Sequence, residues 1–199
     1  MIWRIVSATC RISALVASFL LICSQSQFAL ADEISTFAAN DIDFLNLMGN
    51  AEGYRGYGTV SDYAPALPDE EVQRMTIAEA LSYQKRIREM GSRSSAIGRY
   101  QFIYVTLRDT VQEYGISEKL VFDEEVQTYL ARILMAECGF YVVDTPVEAL
   151  GNCLAGRWAA LPLLSGPGAG RSAHEGDGLN RHSIPSALFR SVLQERFVW

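Results

Sequence analysis

The chain has 199 residues, 49% of them hydrophobic, with 23 acidic and 17 basic side chains and a formal charge of −6. That composition excludes a disordered or collagen-like polymer, and the acidic balance makes a poor electrostatic match to nucleic acid. A carbohydrate polymer stays open, because sugars are recognised through hydrogen bonds and aromatic stacking, and the chain carries nine Tyr and nine Phe.

The first 31 residues read MIWRIVSATCRISALVASFLLICSQSQFALA: Arg4 and Arg11 lead into an apolar run, and Ala29-Leu30-Ala31 closes it. This order predicts a secretory signal peptide over residues 1–31. The apolar run is short for a bilayer span, and Ile22 is bulky for a lipoprotein site at Cys23. Residues 32–199 are then one exported domain of 168 residues, periplasmic or secreted, with no stable membrane insertion after cleavage. All acidic residues and all but two basic ones fall in it, so its formal charge is −8. Cys138 and Cys153 remain in it, and an even pair in an exported protein favours one disulfide. No CxxC or His/Cys cluster predicts a metal, and nothing calls for a cofactor.

Along the mature chain, residues 40–52 place Ile42, Leu45, Met48 and Glu52 at helical spacing, with Gly53 as the stop. Residues 54–74 are dense in Gly, Pro, Asp and Tyr and predict an irregular region with short extended pieces. Thr76 and Glu79 form a capping box, opening a helix through Leu81 and Ile87 to Gly91. The stretch Ser95 to Phe102, SAIGRYQF, intervenes before a helix carrying Leu107, Val111 and Tyr114. From Asp123, the run DEEVQTYLARILMAEC puts acids in its first turn and predicts the central buried helix. Thr145-Pro146-Val147-Glu148 predicts a second capping box, on a helix bearing Leu150, Leu154 and Trp158. A Gly-rich stretch with His174 and His182 precedes a final amphipathic helix over residues 184–197. The fold class is mainly α: a helical bundle around a central buried helix, with a small irregular or β-containing lobe forming a cleft.

Glu52, at the end of an apolar helix, is placed for partial burial, which raises a carboxyl pKa toward the range of a general acid. Asp62, in the long loop, is the candidate for a second carboxylate. His174 and His182 sit among glycines and lack the spacing of a triad or zinc motif, so they read as surface loop.

Three short segments then stand in order: AEG at residues 51–53, GRYQ at 98–101 and WAALP at 158–162. Their order resembles that of the lambda-phage-type endolysins, lysozyme-like lytic transglycosylases of peptidoglycan, which carry SEG, GAGRYQ and WASLP at similar separations. The resemblance spans about residues 42–175. It implies a lysozyme-like fold, Glu52 as the catalytic acid and base, and Gly98, Tyr100 and Gln101 as the substrate-binding wall beside it. It further implies peptidoglycan glycan strands as the partner, and the signal peptide argues for a role in the cell envelope beside a secretion or envelope apparatus. The sequence departs from the family in Ala51, where the family has Ser, in the signal peptide and in the cysteine pair. A hydrolytic lysozyme using Asp62, or a non-catalytic peptidoglycan-binding envelope protein, are the alternatives.

Overall fold

A computed structural model describes residues 41–176, 178 and 181–197; the predicted signal peptide lies outside the described residues. Helix α1, Ile42–Glu52, takes its register from Asp41 rather than from Ile42. Asp41 is fully buried, and its carboxylate accepts Arg132 Nε and Nη2 at 2.7 and 3.1 Å and the Tyr141 hydroxyl at 2.8 Å. A buried carboxylate is tolerated only when so paired, and the pairing fixes which face of the helix turns inward. Phe44, Leu45 and Met48 follow Asp41 at i+3, i+4 and i+7 and are buried, whereas Ile42, expected on the apolar face, is 52% exposed.

Helix α2, Ile77–Glu89, opens with the predicted capping box: Glu79 N–H donates to Thr76 Oγ1 at 3.3 Å and Thr76 N–H to Glu79 Oε2 at 2.8 Å. Helix α3 is Tyr104–Glu113 and packs on α2. Helix α4, Glu124–Glu137, is capped by Asp123, whose Oδ1 accepts the Val126 N–H at 3.0 Å. It buries Leu130, Ala131, Ile133, Leu134 and Met135, as the central helix of the expected bundle should.

Helix α5, Val147–Arg157, departs from expectation at its start. Pro146 occupies the N-cap and the Thr145–Glu148 capping box is absent. Glu148 is drawn instead to the C-terminal helix α6, Ser186–Glu195, where it pairs with Arg190, and the Thr145 N–H that the box would have used donates to the Val142 carbonyl at 3.2 Å. Tertiary ion pairing has overridden a local signal. Helix α6 packs on α5 and α1, burying Phe189 and Leu193. Phe44 lies at the junction, its ring 5.3 Å from Phe140, 6.1 Å from Trp158 and 6.2 Å from Phe189.

The architecture is therefore mainly helical. In place of a β lobe, the described residues form isolated antiparallel bridges, Val60 with Ile97, Ile97 with Phe102, Thr76 with Val121 and Pro162 with Ser172, and no named strand. The loop between α1 and α2 is irregular, with short 3-10 turns at Gly56–Gly58 and Val72–Arg74. Among the described residues, no helix is long and apolar enough to cross a membrane.

Cys138, at the end of α4, is bonded to Cys153 within α5, a separation of 15 residues. Closing a loop of that size restricts the unfolded chain by about 3 kcal/mol. Replacing both cysteines by alanine is expected to lower the unfolding free energy by about that amount in denaturant titration, and the unmodified folded protein should resist alkylation until reduced.

Candidate active site

The segment SAIGRYQF folds as a tight hairpin. Ile97 and Phe102 exchange both backbone hydrogen bonds, at 3.1 and 2.9 Å, so residues 98–101 are forced into a closed turn. Such a turn needs positive φ, which Gly98 adopts at +77° and Gln101 at +48°. The base of the hairpin is held by two buried glutamines. Gln84 Nε2 donates to the carbonyls of Ser95 at 2.8 Å and Phe102 at 2.7 Å. Gln127 Oε1 accepts the Arg99 N–H at 2.9 Å, and its Nε2 donates to the carbonyls of Phe122 and Tyr57 at 2.8 and 3.0 Å.

Gly98 is a glycine because of this arrangement. A β-carbon there would stand 2.4 Å from Gln127 Oε1, so the close approach is to the protein's own amide, and Gly98 is not among the residues lining the cleft described below. Tyr100 is likewise a wall element rather than an open stacking face. Its side chain is 2% exposed, edge-on to Tyr57 and Phe102, and its hydroxyl shares a hydrogen bond with Thr128 Oγ1 at 3.3 Å. Gln101 is half-buried and faces the cleft; its Nε2 donates to the Gly98 carbonyl at 2.8 Å, which leaves its carbonyl oxygen available to a ligand.

Arg99 joins the hairpin to α1. Its backbone and side chain lie so close to the helix that a β-carbon at Gly53 would be 2.3 Å from Arg99 O and one at Gly49 would be 2.2 Å from Arg99 Nε. The guanidinium sits 5.5 Å from the Tyr57 ring centroid and reaches Asn46 and Asn50 Oδ1 at 3.4 Å. Its partners are neutral amides and a ring, not the carboxylate of a structural ion pair.

Glu52 is the last residue of the helix so clamped, and residues after α5 meet it from the other side. Ala160 N–H donates to Glu52 Oε1 at 2.9 Å, and two residues earlier Trp158 Nε1 donates to the Tyr100 carbonyl at 3.0 Å. Burial pushes the Glu52 carboxyl above its ordinary value of 4.5; the Ala160 hydrogen bond and the nearby His174 pull it back only in part.

Glu52, Gln101 and the Tyr100 segment border a cleft of about 480 Å³ that is also lined by Asp62 and His174. Asp62 is exposed and ion-paired to Arg55 at 2.9 Å. His174 is half-buried, with Nε2 3.2 Å from the Gly156 carbonyl and its backbone N–H on Ser172 Oγ at 3.2 Å. The sequence placed His174 on a surface loop because its neighbours are glycines; the bridge between Pro162 and Ser172 folds that loop back to the cleft. His182 is exposed and does not line the cleft. Among the described residues, no His, Cys, Asp and Glu group could hold a metal ion.

No family model, curated protein or solved structure matches the chain.

The raised Glu52 pKa is also a stability statement. Between 4.5 and the higher folded value the folded protein binds the extra proton, so this group's contribution makes stability fall as pH rises through that window. Glu52→Gln retains an oxygen for the Ala160 N–H and carries no charge. Its thermal midpoint is expected to match wild type below the window and exceed it above, as measured by differential scanning calorimetry across pH.

Proposed function

We propose that the chain is an exported, lysozyme-like peptidoglycan lytic transglycosylase that cleaves the β-1,4 bond between N-acetylmuramic acid and N-acetylglucosamine. The observation that carries this reading is the convergence of the AEG, GRYQ and WAALP segments. Segments up to 108 residues apart are joined by the Ala160–Glu52 and Trp158–Tyr100 hydrogen bonds and by the packing of Arg99 on Gly49 and Gly53. Segments resembling one enzyme family only in order along the chain have no chemical reason to be in contact unless they build one site. The disulfide supports an oxidising compartment, in keeping with the predicted signal peptide.

In this mechanism Glu52 serves first as acid. Ala160 N–H occupies Oε1, which leaves Oε2 as the oxygen to carry the transferable proton. Transfer of that proton to the glycosidic oxygen accompanies cleavage of its bond to C1. The 2-acetamido oxygen of the muramoyl residue stabilises the developing oxocarbenium charge. Glu52 is now an anion held by the Ala160 N–H, and it takes the proton from the C6 hydroxyl as that oxygen bonds to C1. The product is a 1,6-anhydro ring, Glu52 is protonated again and no water is consumed. A single buried carboxyl with a raised pKa suits both halves. Gln101, with a free carbonyl oxygen, is placed to accept from an N-acetyl N–H.

Digestion of murein by the mature protein, followed by mass spectrometry, is expected to yield 1,6-anhydromuramoyl ends. Glu52→Gln should reduce their formation by about 10³-fold, the scale of a general acid and base, with folding and murein sedimentation retained. Reducing ends in place of anhydro ends would mean hydrolysis and would direct attention to Asp62.

A further inference from the structure

The cleft is cationic although the protein is acidic. Two of its arginines are neutralised locally: Arg55 by Asp62 at 2.9 Å and Arg157 by Glu137 at 2.7 Å. Arg88 and Arg93 also line it, and among the described residues no carboxylate comes within ion-pair distance of either. Their guanidinium groups are instead oriented by neutral partners. Arg88 Nη1 donates to the carbonyls of Ser92 at 3.2 Å and Arg93 at 3.3 Å. Arg93 lies 5.4 Å from the Tyr63 ring centroid and donates from Nη2 to the Gly178 carbonyl at 3.4 Å. The carbonyl of Tyr63 is fixed in turn by Ser92 Oγ at 2.9 Å. Two guanidinium groups are thereby oriented with no carboxylate partner among the described residues, whose other arginines are mostly paired with acids. Groups of this kind are suited to recognise a carboxylate, since the planar fork offers two parallel donors and stays ionised at every working pH.

We propose that Arg88 and Arg93 form a carboxylate-recognition subsite, so that the glycan taken by this cleft is one that carries peptide stems with free carboxylates rather than a bare polysaccharide. The inference rests on the peptidoglycan reading and names its substrate class. The sugar chain is neutral apart from whatever hangs from its lactyl groups, so a pair of fixed cations beside a glycan cleft has work only if the substituents are anionic. An uncharged polysaccharide lying beside these exposed guanidinium groups would offer neither of them an opposite charge.

The test separates the subsite from the chemistry. Binding of Glu52→Gln is measured by fluorescence anisotropy on three labelled, uncrosslinked glycan preparations: with free stem carboxylates, with those carboxylates amidated, and with the stems removed by an amidase and the lactyl carboxylates so exposed then amidated. Two partly exposed ion pairs are expected to make the first bind about fivefold more tightly than the other two, with the difference fading at high salt. Adding Arg88→Gln and Arg93→Gln to the same protein should bring the three affinities within about twofold of one another. Equal binding of free and amidated stems by the parent, or a preference that survives the double substitution in a protein with an unchanged unfolding midpoint, would overturn the subsite. Turnover by wild type is read separately: a carboxylate preference with neither anhydro nor reducing ends formed would sink the enzymatic reading and leave the subsite standing.

Discussion

The carboxamide of Gln127 is the interaction on which the site depends. It is buried on the central helix, and its three polar contacts join two segments distant in sequence, through the Arg99 N–H and the Tyr57 carbonyl, to the Phe122 carbonyl just before that helix. A buried amide left with an unmet donor or acceptor costs about 1–3 kcal/mol, so each of these segments is held to its place by the others. The same oxygen leaves no room for a side chain at position 98. One residue of the core thus dictates the glycine, the positive φ and the direction in which the turn presents Gln101 to the cleft. At the hairpin's base Gln84 holds the Ser95 and Phe102 carbonyls through its Nε2 alone, its buried Oε1 having no hydrogen-bond partner among the described residues, and with Gln127 it lets eight residues without a sheet around them hold a defined shape.

Fixing the hairpin fixes Glu52. Arg99 can lie along α1 only because Gly49 and Gly53 have no side chains, and it meets there asparagines rather than acids. A cation paired to neutral groups adds no carboxylate to the neighbourhood of Glu52, and the nearest strong influences on that group are burial and one backbone N–H. Burial favours the neutral acid and the N–H favours the anion, so Glu52 is poised between two states instead of locked in one. Asp62, by contrast, stands in solvent beside Arg55, where it is a poor match for a second buried acid. The environment distinguishes two carboxylates that the composition of their segments does not.

The parts of the fold legible from sequence were those decided locally. Thr76 with Glu79 and Asp123 with Val126 form caps across three residues, and helices α2 and α4 begin where those residues stand. The errors arose where a distant partner won. Asp41 reads as an ordinary turn acid, yet its pairing with Arg132, 91 residues away, sets the rotation of α1 and exposes Ile42. Thr145 and Glu148 satisfy the capping pattern, but Arg190 from the chain's end pairs with Glu148, and the Thr145 N–H bonds the Val142 carbonyl. Tyr100 in the opening turn of a loop looks available for stacking until Tyr57, Phe102 and Thr128 close around it. His174 had no signal at all, since glycine-rich surroundings describe backbone freedom and not where the backbone goes. Glu52 and Gln101 could be singled out as candidates from sequence and both border the cleft, whereas the Ala160 N–H could not, because any residue but proline supplies that donor.

Net charge illustrates the same limit from another side. A formal −6 argues against a polyanionic partner when the field is averaged over the molecule, and at distances beyond about 8 Å in physiological salt that average is screened anyway. What a ligand meets inside a cleft is the local sum. Pairing decides that sum: Asp62 and Glu137 each cancel one arginine, while Arg88 and Arg93 spend their hydrogen bonds on carbonyl groups that orient them without discharging them. The acidic surface and the cationic cleft are therefore compatible, and their contrast has a direction. Acidic residues outside the cleft disfavour attachment of an anionic polymer to the surface at large, whereas guanidinium groups with no carboxylate partner among the described residues favour it in the cleft that Glu52 and Gln101 line.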